Sequence, residues 1–349
     1  MFFLQAGEKS SRIKKAIGPK GISLAMLENL KVTFLIVFPF LAYMTLGFFF
    51  KRIGAVTDEF AGQINRFLAN VLLPVNIFNS LYNKDLTTAF RNPAALYSAA
   101  GTLLLTFLLM KLVPLWEKDP AKQSSMVHCG FRSNSMLFAL PIANGIFGYE
   151  VPEIVIVLVT VVLINNIEAV PLMEYYRNRT PAWAERREKS SFSVKGMLLG
   201  WLKTPLLMGL VAGVLWSLLR IPMPAPGAGV ISGLSGTVIP LAFMVLGARL
   251  DFGHLKANRR NVLLTVLIKL VAAPALFLIW PIAAGWSQEG IVAVLAGFGA
   301  PSAVIAYAMA EYYECDADMA GEIISLSSAL SMITIFLWIF GMKQFGLIS

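Results

Sequence analysis

Apolar residues run along this chain in long blocks separated by short polar gaps. In the first half the blocks are Val32 to Phe50, Phe60 to Tyr82, Pro93 to Trp116, Lys122 to Gly148 and Val151 to Tyr176. In the second half they are Thr204 to Leu219, Ala228 to Leu250, Val262 to Trp286, Gln288 to Tyr312 and Asp318 to Phe345. Each is near the roughly 20 residues that carry a helix across a bilayer. The pattern predicts an all-α polytopic membrane protein of ten transmembrane helices. It divides into an N-terminal tail (1–31), a first five-helix repeat (32–176), a basic connector (177–203) and a second five-helix repeat (204–349).

One block differs from its neighbours. Phe131 to Gly148, FRSNSMLFALPIANGIFG, is too apolar for a surface loop yet carries Arg132, Asn134, Pro141 and Asn144. Proline lacks an N–H and its ring clashes with the carbonyl four residues back, so the helix is expected to break or kink at Pro141. Freed backbone groups survive in hydrocarbon only where protein or a water-filled cavity satisfies them. The stretch is then either a substrate site near the midplane or a kink whose polar side chains bind neighbouring helices.

The second half changes the balance. Pro301, in GFGAPSAVIAYAMAE, answers Pro141, and Pro240, in TVIPLAFM, answers Pro74, in VLLPVNIF. Five spans per half is an odd number, so the second copy enters the membrane in the opposite sense. That is a 5+5 inverted repeat, an arrangement of many secondary transporters.

Composition agrees: the 349 residues are 57% hydrophobic and 14% charged, against about 25% charged in soluble domains. The net charge of +9 would suggest nucleic acid in a soluble protein. Here Lys and Arg fall in short loops, where they set topology and meet anionic lipid. They are denser in the loops after the first, third, fifth, seventh and ninth blocks, the fifth being the connector; that side should be cytoplasmic, with both termini outside. The basic tail opposes this weakly, and residues 1–25 read as an extension or a misplaced start. Cys129 and Cys315 imply no disulfide framework, and the only histidines, His128 and His254, are too far apart for a metal site or a triad.

These motifs resemble the auxin efflux carrier family, which includes plant PIN-type carriers and bacterial malate-permease-like proteins. The likeness is carried by RFLANVLLPVNIF, FRSNSMLFALPIANGIFG, INNIEAVPLMEY, IPLAFMVLGARL and APSAVIAYAMAEYYECD, and runs from about residue 30 onward. The resemblance implies a fold like that of bile-acid:sodium symporters and NhaA-type antiporters, with broken helices four and nine crossing at their prolines and a mobile core moving against a scaffold. It also implies that Asn134, seven residues before Pro141, contacts substrate. SAVIAY after Pro301 departs from the plant QGIVPF and speaks against auxin itself. The short connector speaks against regulation through a long cytoplasmic loop.

The residues allow specific chemistry. Full charges inside spans are functional hypotheses by default. Arg132 and Glu168 lie at similar depth on adjacent helices and could pair, either to fix packing or to attract and release an anion. Lys269 has no evident partner and is expected to snorkel to the interface or to serve coupling. Half-helix N-termini offer N–H donors to carboxylates, supplied here after Pro141 and Pro301, with Asn134, Asn144 and Ser302 adding side-chain donors. Glu168 and His128 could be proton-linked, or His128 is an interface histidine; Asn76 and Asn79 read as lining residues or helix–helix bonds.

The function expected is a secondary carrier moving a small organic anion, such as a mono- or dicarboxylate, across the plasma membrane by alternating access. It needs no cofactor and no nucleic acid, and its partners are the anion, the bilayer, a proton or sodium ion for coupling, and a second copy in a homodimer. The alternatives are a channel-like or sensory protein, or an intramembrane enzyme. The isolated histidines and the lack of paired aspartates within spans argue against the enzyme. The orientation has a direct test. In intact cells an impermeant thiol reagent should label a cysteine placed at Gly227 and miss one placed at Ala184; labelling at Ala184 would reverse the topology.

Overall fold

A computed structural model describes residues 19–82, 93–180, 205–250 and 258–348. The tail through residue 18, most of the connector and the expected start of the sixth block at Thr204 lie outside the described residues. Among the described residues the chain is helical, with a single isolated backbone bridge between Ser133 and Ser302 in place of any strand.

The helices are α1 (Pro19–Arg52), α2 (Asp58–Phe67), α3 (Leu73–Leu81), α4 (Ala94–Leu112), α5 (Pro120–Phe131), α6 (Leu140–Phe147) and α7 (Pro152–Arg177). After the connector come α8 (Pro205–Leu218), α9 (Ala225–Gly236), α10 (Val238–Ala248), α11 (Arg259–Leu267), α12 (Ala273–Ala283), α13 (Gln288–Gly299), α14 (Ile305–Tyr312) and α15 (Ala317–Gln344). Among the described residues six helical stretches are long and apolar enough to cross a bilayer: Met26–Arg52, Ala94–Leu115, Pro152–Arg177, Ala225–Ala248, Arg259–Ala283 and Ala317–Gln344. The protein is therefore a multi-pass membrane protein. The other expected spans are helical too, but shorter or interrupted. α1 starts at Pro19, so the stretch read as tail already contains its first turns; proline suits a first helical position, where its missing N–H would have no partner anyway.

Three prolines are accommodated in the same way. Pro74, Pro141 and Pro274 each stand two residues after a π-helical turn, at Leu68–Leu72, Ser135–Ala139 and Ile268–Ala272. The N–H just before each proline reaches five residues back, from Leu73 to Leu68, Leu140 to Ser135 and Ala273 to Ile268. Widening the turn lets the helix continue past a residue that cannot donate, at the cost of a bulge. The expectation of a break at Pro141 is thus corrected: Pro141 lies in the first turn of α6, and the chain opens seven residues earlier.

The helices pack as two groups. In one, α1 runs along α10, and α3 runs along α8 and α9. Backbones touch there: a Cβ on Gly47 would strike the backbone of Met244, and one on Gly247 would strike the backbone of Met44. Only glycine permits that approach, since no side chain can move aside. The other group contains α4, α5 with α6, α7, α11 with α12, α13 with α14, and α15. Its α4 and α11 ends are tied where Asn261 donates to Glu117. Partial burial raises the Glu117 carboxyl, but backbone N–H groups at Asp119 and Lys118 and the Asn261 amide hold it below the usual carboxylate range.

The chain ends fall on one face of the bundle, where the Asn29 amide donates to Gln344 at 3.4 Å. The turn from α6 to α7 follows from connectivity onto that same face. The glycine contacts can be tested directly. Gly47→Ala should destabilise the protein by about 1–3 kcal/mol through overpacking against rigid backbone, seen as a lower unfolding temperature in detergent. Gly229→Ala, which meets nothing within 4 Å, should leave it unchanged or raise it.

Candidate substrate site at the crossing of two broken helices

The break in the first half spans Arg132 to Asn134, between α5 and the π-helical turn that leads into α6. The break in the second half lies between α13 and α14, where Ala300 is extended (φ −70°, ψ 152°) ahead of Pro301. Residues before proline are pushed out of the helical region, so this opening is local in origin. No proline stands at Arg132–Asn134. The helix opens there because the two breaks pair: Asn134 N–H donates to the Pro301 carbonyl at 2.8 Å, and Ala303 N–H donates to the Arg132 carbonyl at 3.0 Å. Each strand-like segment satisfies the backbone groups that the other exposes.

Lys269 enters this junction from the π-helical turn between α11 and α12 and is 0% exposed. Its ammonium donates to the Phe131 carbonyl, the last of α5, at 3.1 Å, and to Ser133 Oγ. Ser133 Oγ in turn donates to the Gly297 carbonyl in the last turn of α13. One cation therefore faces the negative ends of two half-helices, which favours positive charge at that spot. The expected snorkelling is corrected: the side chain points inward because those carbonyls give it more than the interface could. Pro274 leaves the Leu270 carbonyl without its helical donor, and the indole N–H of Trp338 fills the place at 3.0 Å. The turn that carries Lys269 is thereby pinned to α15.

The remaining candidates divide by what their polar atoms do. Arg132 is buried; its guanidinium donates to the Asn165 carbonyl at 3.3 Å and to the Asn166 side-chain oxygen. It does not hydrogen-bond Glu168, though the two charges attract each other; the Glu168 carboxyl oxygens are shielded from solvent beside the Thr106 hydroxyl, without a hydrogen bond of normal geometry. Ser302 is fully committed: its hydroxyl donates to the Cys129 carbonyl at 2.8 Å, and its N–H donates to Ser327 Oγ at 3.1 Å. Pro301 supplies the carbonyl that receives Asn134. Asn144 lies in the last turn of α6, away from the break, with its side-chain oxygen unpartnered. His128 is 0% exposed with neither ring nitrogen bonded. It is therefore a buried side chain and not an interface histidine. Asn76 and Asn79 are occupied with Ser235, at 2.6 and 3.4 Å.

Asn134 stands apart. It is 6% exposed, its backbone is held by Pro301, and its side-chain NH2 has no hydrogen-bond partner. A buried amide donor left unmade is costly, and this one sits where the backbone has been opened. Beside the break, Phe138, Ala139, Ile142, Ala296 and Ala300 help line a cavity of about 10 Å³, room for about one water molecule.

A family model described as "Membrane transport protein" matches residues 32–339. The chain belongs to this family, that of the auxin efflux carriers. It is also 26% identical over 311 residues to an "Uncharacterized transporter" from Methanothermobacter thermautotrophicus, an alignment covering 85% of this chain and 94% of the relative. The family and the relative are both transporters, so the crossing is read below as part of a transport protein. Ser133, Ser327 and Trp338 are the junction residues that sequence reasoning missed as such. A serine beside a span break and a tryptophan opposite a mid-span proline were the available signals. Replacing Lys269 with Met removes the ammonium from Phe131 and Ser133. It should cost about 1–3 kcal/mol for each buried acceptor stranded, read as a lower unfolding temperature in detergent; an unchanged temperature would remove Lys269 from its role at the junction.

Proposed function

We propose that this member of the family is a secondary carrier that moves a small organic anion, a mono- or dicarboxylate, across the plasma membrane by alternating access. The observation that carries the reading is the unpartnered Asn134 amide at the junction of two broken helices, in the same segment as the buried Arg132 and next in sequence to Ser133, which Lys269 bonds. Directional donors beside positive charge suit a carboxylate. The positive N-terminal ends of the segments that follow the breaks add to the same field.

The helix pairing supports a ten-span inverted repeat. Exchanging the halves turns the pairing of α1 with α10 into that of α8 with α3, and both pairings occur. The same exchange turns one break into the other, and the breaks bond each other. The glycine-packed group is suited to be the scaffold and the group around the junction to be the moving part. The loop charges support both termini outside and the connector inside. We assign coupling, by a proton or a sodium ion, to Glu168, whose buried carboxyl oxygens have no hydrogen bond of normal geometry.

The test compares two substitutions in binding and transport, using carboxylates chosen by thermal stabilisation across a mono- and dicarboxylate panel. Asn134→Ala should fold normally and bind about ten- to hundred-fold more weakly, the equivalent of one lost hydrogen bond to a charged group. Pro141→Ala restores an N–H and lets the π-helical turn relax to a regular helix, so turnover should fall while stability holds or rises. Normal binding by Asn134→Ala would move the site elsewhere, and normal transport by Pro141→Ala would reduce the bulge to packing.

A further inference from the structure

The carrier reading leaves open which contacts hold the protein shut. Between the glycine-packed group and the junction group, one polar cluster stands out on the face that bears the chain ends. Glu150 lies in the turn between α6 and α7, Asn79 one turn from the end of α3, and Ser235 near the end of α9. The Asn79 amide donates to Glu150 Oε1 at 3.3 Å and to Ser235 Oγ at 3.4 Å, and the Asn76 amide donates to Ser235 Oγ at 2.6 Å. We propose that Asn79, Ser235 and Glu150 form a latch that keeps the carrier closed on this face, and that the latch must release for the site to open there.

The geometry connects the latch to the site by a short path, one π-helical turn and α6. α6 has eight residues and begins directly after the π-helical turn that follows Asn134. Its end is capped by Gly148, in the left-handed region at φ 73°, whose N–H returns to the Asn144 carbonyl at 2.8 Å. That cap fixes where the chain leaves α6, and Glu150 follows two residues later. Any displacement of the broken helix at Asn134 is thus carried through α6 to Glu150, while Asn79 and Ser235 stay with α3 and α9. α6 also lies against α1, where a Cβ on Gly145 would come within 3.3 Å of the Phe40 ring, so α6 separates from the glycine-packed group only if the latch lets go.

The type of contact also fits. Within the glycine-packed group, α1 and α10 meet backbone to backbone, a join that cannot part without exposing matched surfaces. Across the latch the join is one side-chain hydrogen bond, from Asn79 to Glu150, with Ser235 holding Asn79 in place on its own side; such a bond is exchangeable with water at small net cost. On the same face the Asn29 amide donates to Gln344, a bond of the same kind. Such bonds bias a two-state equilibrium without locking it.

This inference rests on the carrier reading, and the two can fail separately. Ile146, partly buried on α6 beside the cavity, is replaced by Cys in a background carrying Cys129→Ala and Cys315→Ser, and its modification rate by a soluble thiol reagent is measured in detergent. Asn79→Ala and Glu150→Ala should each speed modification about ten-fold, the shift that losing a hydrogen bond to a carboxyl gives, with an unchanged elution profile on size exclusion. In a second protein, Asn79→Cys and Glu150→Cys are bridged through two disulfides by a short bis-methanethiosulfonate, sulfinate leaving from each end, and Ile146 is replaced by a ketone-bearing residue that thiol reagents do not touch. Bridging should suppress reaction of that ketone with a soluble alkoxyamine, and reductant should restore it. Unchanged modification in both alanine variants, or a pair that cannot be bridged, would overturn the latch. Counterflow of the best-stabilising carboxylate in the unbridged protein tests the carrier reading by itself; its absence would remove that reading and the latch with it.

Discussion

The structure depends on how it disposes of a lysine ammonium inside a membrane protein. Lys269 brings a charge that hydrocarbon does not tolerate, and the two half-helices α5 and α13 bring C-terminal carbonyls that hydrocarbon tolerates equally badly. Each solves the other's problem: Lys269 donates to Phe131, and through Ser133 reaches Gly297. The cation steadies the end of α5 directly and that of α13 through Ser133. The paired backbone of Asn134 with Pro301, and of Ala303 with Arg132, completes the satisfaction of the opened segments.

With the junction satisfied from within, almost every polar group near it is already occupied. Ser302, Ser133, Arg132 and Lys269 all bond protein partners. The amide of Asn134 is left over, and an unspent donor in such a place is where a ligand gains most from a directional bond. The reading of Asn134 as the substrate contact therefore rests less on its identity than on the commitment of its neighbours. Glu168 is a second unspent group, but one of opposite chemistry, which is why it is assigned to coupling and not to the anion.

The two helix groups are held by different physics. Glycine at 47 and 247 lets α1 and α10 share backbone contact, where dispersion is dense and any separation is expensive. Around the junction, the π-helical turns before Pro141 and Pro274 leave loosened hydrogen bonding within otherwise continuous helices. A bulged turn has more than one nearby arrangement, whereas a close-packed glycine contact has one. The glycine-packed group has a π-helical turn of its own at Leu68–Leu72, so it is the backbone contacts at Gly47 and Gly247 that mark it as the stiffer frame.

The local chemistry of the sequence determined a good deal. The apolar blocks became helices, since an uninterrupted apolar stretch in a bilayer must bond its own backbone. Pro301 marked its break correctly because the restriction before a proline acts on the adjacent residue. Pro141 marked the right helix and the wrong place: a π-helical turn absorbed it, and the opening moved to Arg132–Asn134, where the partner strand of residues 300–303 was waiting. The destination of Lys269 was not legible, because its acceptor Phe131 is 138 residues away in the chain. Arg132 likewise chose Asn166 over Glu168, and His128 turned inward. Helix formation and proline restriction are properties of a few consecutive residues. Which carbonyl lies about 3 Å from a buried cation is set only when distant segments cross, and that crossing was the contribution of the tertiary structure.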